Sequence, residues 1–280
     1  MKTFNDPSKL QKWSDKIRIE GKKIALVPTM GALHEGHISL IERAKKAGAD
    51  EIVVSIFVNP TQFGPNEDYA AYPRTEKADA AKCKKAGATT IFFPTPSNMY
   101  LENHSVFVDE SLLSQGYCGA MRPGHFKGVC TVVAKLFNIV HPHMAVFGQK
   151  DFQQAAIIRR MVRDLNFGIE IIVAPIVREE SGLAKSSRNS YLSEDEKARA
   201  VVLSQSLKLA KEVVAQKGEV AWSQLKKKMM GLIEKAGLRP DYIEAADADD
   251  LTSVKKLKKG NVILLAAYCG KTRLIDNAVM

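Results

Sequence analysis

The chain has 280 residues, which is enough for one large domain or two domains of ordinary size. Hydrophobic residues make up 45% of it and charged residues 26%, proportions that are typical of a folded globular protein and exclude an intrinsically disordered chain. Lys and Arg outnumber Asp and Glu by 41 to 31, giving a net charge of +10, but no basic tail or separate basic module carries this excess, so the charge alone does not indicate a nucleic-acid-binding protein.

Neither a membrane span nor a secretory signal is predicted. The apolar runs have the length of strands, far below the ~20 residues of a membrane helix, and no apolar stretch follows Lys2 at the N-terminus. The four cysteines, Cys83, Cys118, Cys130 and Cys269, have no C-x-x-C spacing, which argues against a zinc ribbon or a disulfide framework. These features predict a cytoplasmic protein with reduced cysteines.

The first two-thirds of the chain alternates between strand and helix patterns. Short apolar runs predict strands at 24–27, 52–58, 89–93, 144–147 and 169–173. Helical spacing predicts helices that begin at His37 and that cover 76–86, 130–139 and 152–165. Repeated βαβ units of this kind predict an α/β fold, a Rossmann-like doubly wound parallel sheet, in residues 1–176.

Residues 177–280 have a different pattern, with helices first and strands afterwards. Ser193 and Glu196 form a capping box that opens a helix running to about Gln216, and a second helix is predicted at 221–236. Short strands follow at 242–245, 262–267 and 273–276. This order predicts a smaller C-terminal α+β domain.

The segment after the first strand, residues 28–37, contains two histidines at the start of a helix. In an open parallel sheet, ligands bind at the carboxyl ends of the strands. His34 and His37 can share a face, and Gly36 lets a ligand approach the backbone, so the segment predicts a phosphate or catalytic site. A structural role for the pair is the alternative, and metal binding is less favoured because the spacing is one residue short of H-E-x-x-H.

Three further segments carry polar groups suited to binding. Asn59 and Gln62 close a buried strand and offer neutral donors and acceptors, although Asn-Pro is also an ordinary turn. Residues 147–154 join a strand end to a helix, with Lys150 as a mobile positive charge and Gln154 expected to project inward. Residues 185–188 place two hydroxyls between two cations, which fits either a phosphate clamp or a solvated polar turn.

Taken together, these segments resemble the HIGH and KMSKS signatures of the nucleotidylyltransferase superfamily. More narrowly, the chain resembles the pantothenate synthetase family in six blocks that occur in order at matching spacing. These blocks are 27–37, 55–63, 72–75, 122–126, 147–154 and 186–191. The resemblance implies ATP-dependent condensation of (R)-pantoate with β-alanine through an enzyme-bound pantoyl adenylate.

The resemblance also implies a role for individual residues. The implied ATP-binding residues are Met30, Gly31, Ala32, Leu33, His34, Glu35, Gly36, His37, Gly148, Gln149, Lys150, Asp151, Val177 (through its backbone), Lys185, Ser186, Ser187 and Arg188. The implied catalytic residues are His37, as the acid, with His34, Lys150, Ser186, Ser187 and Arg188. Gln62 and Gln154 would bind pantoate, and Gln62 would also lie close to β-alanine.

Members of the family bind Mg²⁺ mainly through the triphosphate of ATP, with an acidic residue as helper. Ala78 and Asp79 fall in the region of that helper, so Asp79 is the metal ligand that the resemblance implies. Lys185 stands where many relatives have Met, which puts the packing of that loop in question. A homodimer formed through the N-terminal domain is also implied.

Two other functions remain as alternatives. A nucleotidyltransferase that forms no amide would share His34, His37 and the 185–188 loop but would not need Gln62 and Gln154. An RNA-binding protein would use its positive surface, and its affinity would fall steeply with salt. We expect neither a nucleic-acid nor a membrane partner, because the basic runs lack interleaved aromatic residues and no span is predicted.

Overall fold

The structure is a computed structural model that describes residues 1–65 and 67–280. The chain divides into two compact units. The first comprises Met1–Gln115, Gly119–Gly148 and Ile157–Ala174, and the second comprises Gly116–Cys118, Gln149–Ala156 and Pro175–Met280. The domain boundary placed after residue 176 stays a prediction. Two short segments from the first two-thirds of the chain belong to the second unit.

The helices and strands are as follows. In chain order they are β1 (Lys2–Phe4), α1 (Pro7–Ile19), β2 (Ile24–Thr29), α2 (Glu35–Lys46), β3 (Glu51–Ile56), α3 (Glu76–Ala86), β4 (Thr90–Phe92), α4 (Pro96–Met99), α5 (Tyr117–Met121), α6 (His125–Val140), β5 (Met144–Gly148), α7 (Phe152–Asp164), β6 (Glu170–Ala174), α8 (Glu194–Ala200), α9 (Val202–Lys217), β7 (Glu219–Ala221), α10 (Trp222–Lys235), β8 (Arg239–Asp247), β9 (Lys256–Lys258), β10 (Asn261–Cys269) and β11 (Thr272–Val279). Short 3₁₀ turns cover Pro60–Gln62, Leu113–Gln115, Gln149–Asp151 and Ser187–Tyr191.

The first unit is built on a six-stranded sheet in the order β1-β4-β3-β2-β5-β6, in which every pair of neighbours is parallel. The predicted doubly wound parallel sheet is therefore confirmed. The strand order reverses at β2, because β3 and β4 follow on one side of it while β5 and β6 lie on the other. The carboxyl ends of β2 and β5 consequently border the switch point, which is the usual binding crevice of such sheets.

The strands of this sheet form because their residues are apolar on both faces. Five of the six residues of β2 and five of the six of β3 are buried, as expected for strands covered on both sides. Helix α2 buries Leu40, Ile41 and Ala44 against the sheet. Helix α6 begins at His125, five residues before the predicted start, because Gly124 adopts a left-handed conformation that turns the chain into the helix.

The second unit contains the antiparallel sheet β11-β10-β8, the pair β7-β9 and the helices α8, α9 and α10, so the predicted α+β architecture is confirmed. The capping box is present, because Ser193 N donates to Glu196 Oε2 at 2.9 Å and Glu196 N donates to Ser193 Oγ at 3.2 Å. The single helix predicted to follow it is interrupted at Val201, which separates α8 from α9. Within the described ranges, no helix is long and apolar enough to cross a bilayer.

Candidate active site

The loop between β2 and α2 is fixed by a carboxylate from another helix. Ala32 N donates to Asp79 Oδ2 at 2.9 Å, and Leu33 N donates to Asp79 Oδ1 at 2.8 Å. Asp79 lies in α3 and is fully buried. Gly31 and Ala32 both have positive φ, at 89° and 49°, so two consecutive residues of the loop are left-handed. The backbone of the predicted phosphate loop therefore has one defined conformation just before the helix.

His34 and His37 are held at the start of α2 by a reciprocal capping box. Gly36 N donates to His34 Nδ1 at 3.1 Å, and His34 N donates to His37 Nδ1 at 3.2 Å. The two rings lie 4.1 Å apart between centroids, and both side chains are partly buried. Because each Nδ1 accepts a hydrogen bond, the proton of each neutral ring lies on Nε2, which becomes the donor. The capping geometry therefore fixes the tautomer of both rings.

Gln62, the predicted pantoate ligand, belongs to the same unit as the two histidines and is nearly buried in it. Its Nε2 donates to Met30 Sδ at 3.0 Å, and its Oε1 accepts from Asn59 Nδ2 at 3.1 Å. Asn59 is 1% exposed and Gln62 is 8% exposed. Met30 of the first predicted segment and Asn59 and Gln62 of the second therefore lie together at the carboxyl ends of β2 and β3.

In the second unit, the turn Gln149–Asp151 is anchored by Asn277. Asn277 Nδ2 donates to the carbonyl oxygens of Gln149 at 2.8 Å and Lys150 at 2.9 Å. The Lys150 ammonium lies 3.8 Å from the Asp151 carboxylate. In the helix that follows, Gln153 is buried and bonds to the backbone at Gly116 and Cys118, while Gln154 is partly exposed.

The 185–188 loop, also in the second unit, rests on buried polar supports. Lys185 N donates to the carbonyl oxygen of Val177 at 2.9 Å, and Arg188 N donates to Ser186 Oγ at 3.3 Å. Asn189, which is 6% exposed, donates to the Ala184 carbonyl oxygen at 3.1 Å. All four loop side chains are partly buried. A 3₁₀ turn at Ser187–Tyr191 follows directly on Ser186, and the effect of Lys185 on the packing of the loop stays a prediction.

Comparison with known proteins places the chain in one family. The profile described as Pantoate-beta-alanine ligase matches residues 2–279, almost the whole chain. The chain belongs to this family. A pantothenate synthetase from Clostridium acetobutylicum is 53% identical over 278 residues, covering 99% of this chain and 98% of the relative. One from Thermotoga neapolitana is 48% identical and covers 100% of both chains.

Solved structures of the family have the same fold. The pantothenate synthetase of Thermus thermophilus superposes with a TM-score of 0.90 at 40% identity, covering 100% of this chain and 99% of that one. The pantoate-beta-alanine ligase of Francisella tularensis, complexed with beta-gamma ATP and beta-alanine, gives a TM-score of 0.82 at 35% identity, covering 100% and 97%. Family membership, predicted from the six blocks, is thus confirmed.

Within the family fold, Arg122 and His125 support Gln62 through its main chain. His125 Nδ1 lies 2.8 Å from the Gln62 carbonyl oxygen, to which Arg122 Nη2 also donates at 3.3 Å. Glu67 binds Arg122 through two hydrogen bonds of 2.5 and 2.6 Å. The block at 122–126 contributed to the family resemblance, but no role was predicted for these side chains. Their pairing with Gln62 has no local signal, because they lie 60 and 63 residues from it in the chain.

Two other supports were also missed, and both lie in the second unit. Arg178 forms a bidentate ion pair with Asp276, at 2.6 and 2.9 Å, and Asp276 is 4% exposed. Asn277 anchors the turn that carries Lys150. The roles that the resemblance implies for the site residues all stay predictions.

The described residues provide no ready-made metal cage. No group of three or more His, Cys, Asp or Glu side chains among residues 1–65 and 67–280 is arranged to hold a metal ion. Asp79, the ligand implied by resemblance, already accepts two backbone amides and the Thr75 hydroxyl at 3.1 Å. A Mg²⁺ ion used by this chain would therefore depend on oxygens supplied by a substrate, as Mg²⁺ in nucleotide sites commonly does.

Proposed function

We propose that this chain condenses (R)-pantoate with β-alanine, using ATP and forming a pantoyl adenylate, with release of AMP and pyrophosphate. The observation that carries the proposal is the pair of capped imidazoles at the start of α2, beside the sheet's switch point. The family match over residues 2–279 supports the same reaction, as does the Francisella relative complexed with beta-gamma ATP and beta-alanine.

In the first step a carboxylate oxygen of pantoate attacks the α-phosphorus of ATP. The bond from that phosphorus to the β-bridging oxygen breaks, and the electron pair leaves with pyrophosphate. His34 and His37 present Nε2–H donors, which stabilise negative charge on phosphate oxygens without reorganisation. We assign to His37 the place of the acid beside the leaving oxygen, to which its Nε2–H donates a hydrogen bond, and to His34 the phosphate contact.

Cations and hydroxyl donors would stabilise the departing pyrophosphate. The side chains assigned to this role are the cations Lys150, Lys185 and Arg188 and the hydroxyls of Ser186 and Ser187. Mg²⁺ carried by the triphosphate supplies further positive charge when it is bound. Gly148, Gln149, Asp151 and the Val177 backbone would contact the ribose and adenine, together with the 30–37 loop.

In the second step the amine of β-alanine attacks the acyl carbon of the adenylate. The amide bond forms, the bond to the AMP oxygen breaks, and the amine loses a proton. The rate depends on holding the deprotonated amine close to the acyl carbon. Gln62 and Gln154 would hold pantoate through both steps, with Gln62 also near β-alanine. The contact of the Gln62 amide with Met30 at 3.0 Å supports this assignment, because it holds the side chain beside the 30–37 loop.

We further propose that the protein is a cytoplasmic homodimer that associates through its first unit. Four side chains between residues 101 and 112 support this, because large apolar groups are exposed there: Leu101, Val106, Phe107 and Leu112 are 67%, 82%, 41% and 68% exposed. Clustered exposed apolar residues are typical of association surfaces.

The cytoplasmic location is supported by the cysteines. All four are free thiols, and burial raises the pKa of Cys83 and of Cys130 to about 12, as suits a reducing compartment.

The order of bond formation can be tested by isotope exchange. With Mg²⁺, ATP and pantoate but no β-alanine, labelled pyrophosphate should exchange into ATP, and omission of pantoate should abolish the exchange. Adding β-alanine should then yield AMP and pantothenate in equal amounts. ADP and phosphate as products would establish an acyl-phosphate route instead. Exchange without pantoate would indicate a simple nucleotidyltransferase, and no exchange together with salt-sensitive RNA binding would indicate the RNA-binding alternative.

The 185–188 loop separates the two chemical steps. Arg188→Ala should depress pyrophosphate exchange strongly but slow the reaction of preformed pantoyl adenylate with β-alanine much less, because pyrophosphate has already left. Lys211→Ala, which removes one positive charge from the exposed face of α9, is the matched control. An equal loss in both half-reactions would show that Arg188 does not act on pyrophosphate.

A further inference from the structure

Helix α3 contacts the loop after β2 at two points, one turn apart. The Asp79 carboxylate accepts the amides of Ala32 and Leu33, and Lys82 Nζ donates to the Leu33 carbonyl oxygen at 2.5 Å. Asp79 is 0% exposed, and its remaining hydrogen bond comes from Thr75 Oγ1 at 3.1 Å. Both polar groups of the Leu33 backbone are therefore bound by α3.

The loop needs such support because its backbone is strained. Ala32 has a φ of 49°, in the left-handed region, where the Cβ lies too close to the following carbonyl oxygen. Gly31, at a φ of 89°, lies so close to the carboxylate that a Cβ there would be 3.2 Å from Asp79 Oδ2. Strained backbone persists only where the surrounding structure fixes it. Here the fixing contacts come from Asp79 and Lys82.

We propose that Asp79, assisted by Lys82, is a positioning residue that fixes residues 31–33 and thereby orients His34 and His37. In this role Asp79 does not bind Mg²⁺. The inference rests on the proposed function for the reaction it serves. The residue after Leu33 is His34, the N-cap of α2. Any shift of the loop is therefore transmitted directly to both imidazoles.

The environment of Asp79 is wrong for a metal ligand. Among residues 1–65 and 67–280, its side-chain oxygens bond to two amides and a hydroxyl, all of them donors, and the carboxylate has no exposed surface. Three of the roughly four lone-pair positions of the carboxylate accept hydrogen bonds, and the fourth has no exposed surface through which a hydrated cation could reach it. The proposal thus replaces the metal role that the family resemblance implied for this residue.

The test compares Asp79→Asn with the wild type by hydrogen–deuterium exchange and by kinetics. The amide side chain keeps the size of the carboxylate but turns an NH₂ group toward one of the two backbone N–H groups. Without any ligand, the peptide covering residues 30–37 should exchange faster than in the wild type. In pantoate-dependent pyrophosphate exchange, kcat should fall about 10²-fold, the scale of a displacement near 1 Å, whereas the Mg²⁺ concentration for half-maximal activity should not change.

Three further variants make the result specific. Asp79→Glu should be as impaired as Asp79→Asn, because the longer side chain does not fit the closed site. If Asp79 were a metal ligand, the glutamate carboxylate could replace it and activity would be kept. Thr75→Val, the matched control, removes the third hydrogen bond but keeps the contacts of Asp79 with Ala32 and Leu33, so deuterium exchange at residues 30–37 should change less than in Asp79→Asn. Lys82→Met should accelerate exchange at residues 30–37 and lower kcat at unchanged Mg²⁺ dependence, and it keeps the proposal testable if Asp79→Asn does not fold.

The outcomes also separate this inference from the function on which it rests. If the wild type shows no pantoate-dependent pyrophosphate exchange, the proposed function is wrong. Deuterium exchange would still report on the contacts between residues 30–37 and α3. An Asp79→Asn variant that recovers full activity in excess Mg²⁺ would make Asp79 a metal ligand and overturn the inference. Unchanged deuterium exchange at residues 30–37 in both Asp79→Asn and Lys82→Met would overturn it as well.

Discussion

The imidazoles of His34 and His37 serve the helix and the reaction at the same time. Each Nδ1 closes one capping hydrogen bond of α2, so each ring must keep that nitrogen unprotonated. Nε2 of each ring is then the atom that donates to a phosphate oxygen. Simple alanine variants would remove the cap and the donor together, and N-cap loss alone costs about 1 kcal/mol.

Variants that keep the caps can separate the two roles. His34→Asn retains an N-cap acceptor, and His37→Gln retains a side chain that reaches back to the N-cap amide. We expect both variants to keep the thermal stability of the wild type but to lose pyrophosphate exchange by ~10²–10³-fold, the scale for one preorganised donor. Exchange near the wild-type rate in either variant would remove that histidine from the mechanism.

Glu67 contributes stability that depends on pH. Burial alone would raise the pKa of its carboxyl, but hydrogen bonds and charge from Arg122 outweigh burial and lower the pKa below its usual 4.5. Its contribution is therefore fully present above the unfolded-state pKa and is lost as the pH falls through the lower folded-state value.

Glu67→Gln should accordingly lower the free energy of unfolding by about 1–2 kcal/mol at pH 7, because partial exposure of the pair reduces the roughly 1.5–3 kcal/mol of a hydrogen bond to a charged group. Urea unfolding should show the difference from the wild type shrinking as the pH falls below 4.5. Glu102→Gln, at an exposed position, serves as the control and should show no such trend. A difference that does not shrink between about pH 5 and about pH 3 would mean that the Arg122 ion pair is not its source.

At the scale of elements, α6 packs directly on the turn Pro60–Gln62. The contact is possible because Gly128 has no side chain, since a Cβ there would lie 2.2 Å from the Thr61 carbonyl oxygen and 2.7 Å from Gln62 N. The carbonyl oxygen of Gly128 also accepts from Asn59 Nδ2 at 3.2 Å. The position of Gln62 is thus set by how closely a helix approaches a turn.

Gly128→Ala should push this turn away from α6 and misplace Gln62. We expect destabilisation of about 1–3 kcal/mol, as for overpacking in a core, together with a raised KM for pantoate and little change in the KM for ATP. Gly231→Ala is the control, because a Cβ on that glycine of α10 meets nothing within 4 Å. Equal effects of Gly128→Ala on both substrates would indicate a general loss of structure.

At the scale of the whole molecule, the homodimer proposal makes a direct prediction. Light scattering after gel filtration should give twice the 30.9 kDa mass of the chain. Val106→Glu places a charge on the most exposed of the four apolar side chains and should shift the protein toward monomer. Glu102→Lys, a charge change in the same segment, should leave the mass unchanged. A monomeric wild type would rule out the dimer.

The sequence by itself determined the fold class and the identity of the family. Apolar strands alternating with helices specify a parallel sheet, and that sheet was found in residues 1–174. The capping box at Ser193 was also predictable, because its partners are three residues apart. The break at Val201 was not, since the helical pattern continues through it and the residue keeps helical angles. Local periodicity and spacing therefore suffice for elements and their order.

Only the tertiary structure decided how the candidate site residues are supported. Asp79 reaches residues 32 and 33 from 47 and 46 positions away, and Glu67 reaches Arg122 from 55. In the sequence Asp79 was a metal-ligand candidate by resemblance, and in the fold its oxygens face backbone amides. The physical reason is that a hydrogen bond depends on distances of about 3 Å. Such distances between remote residues are set by the packing of helices on the sheet, which local pattern and spacing do not encode.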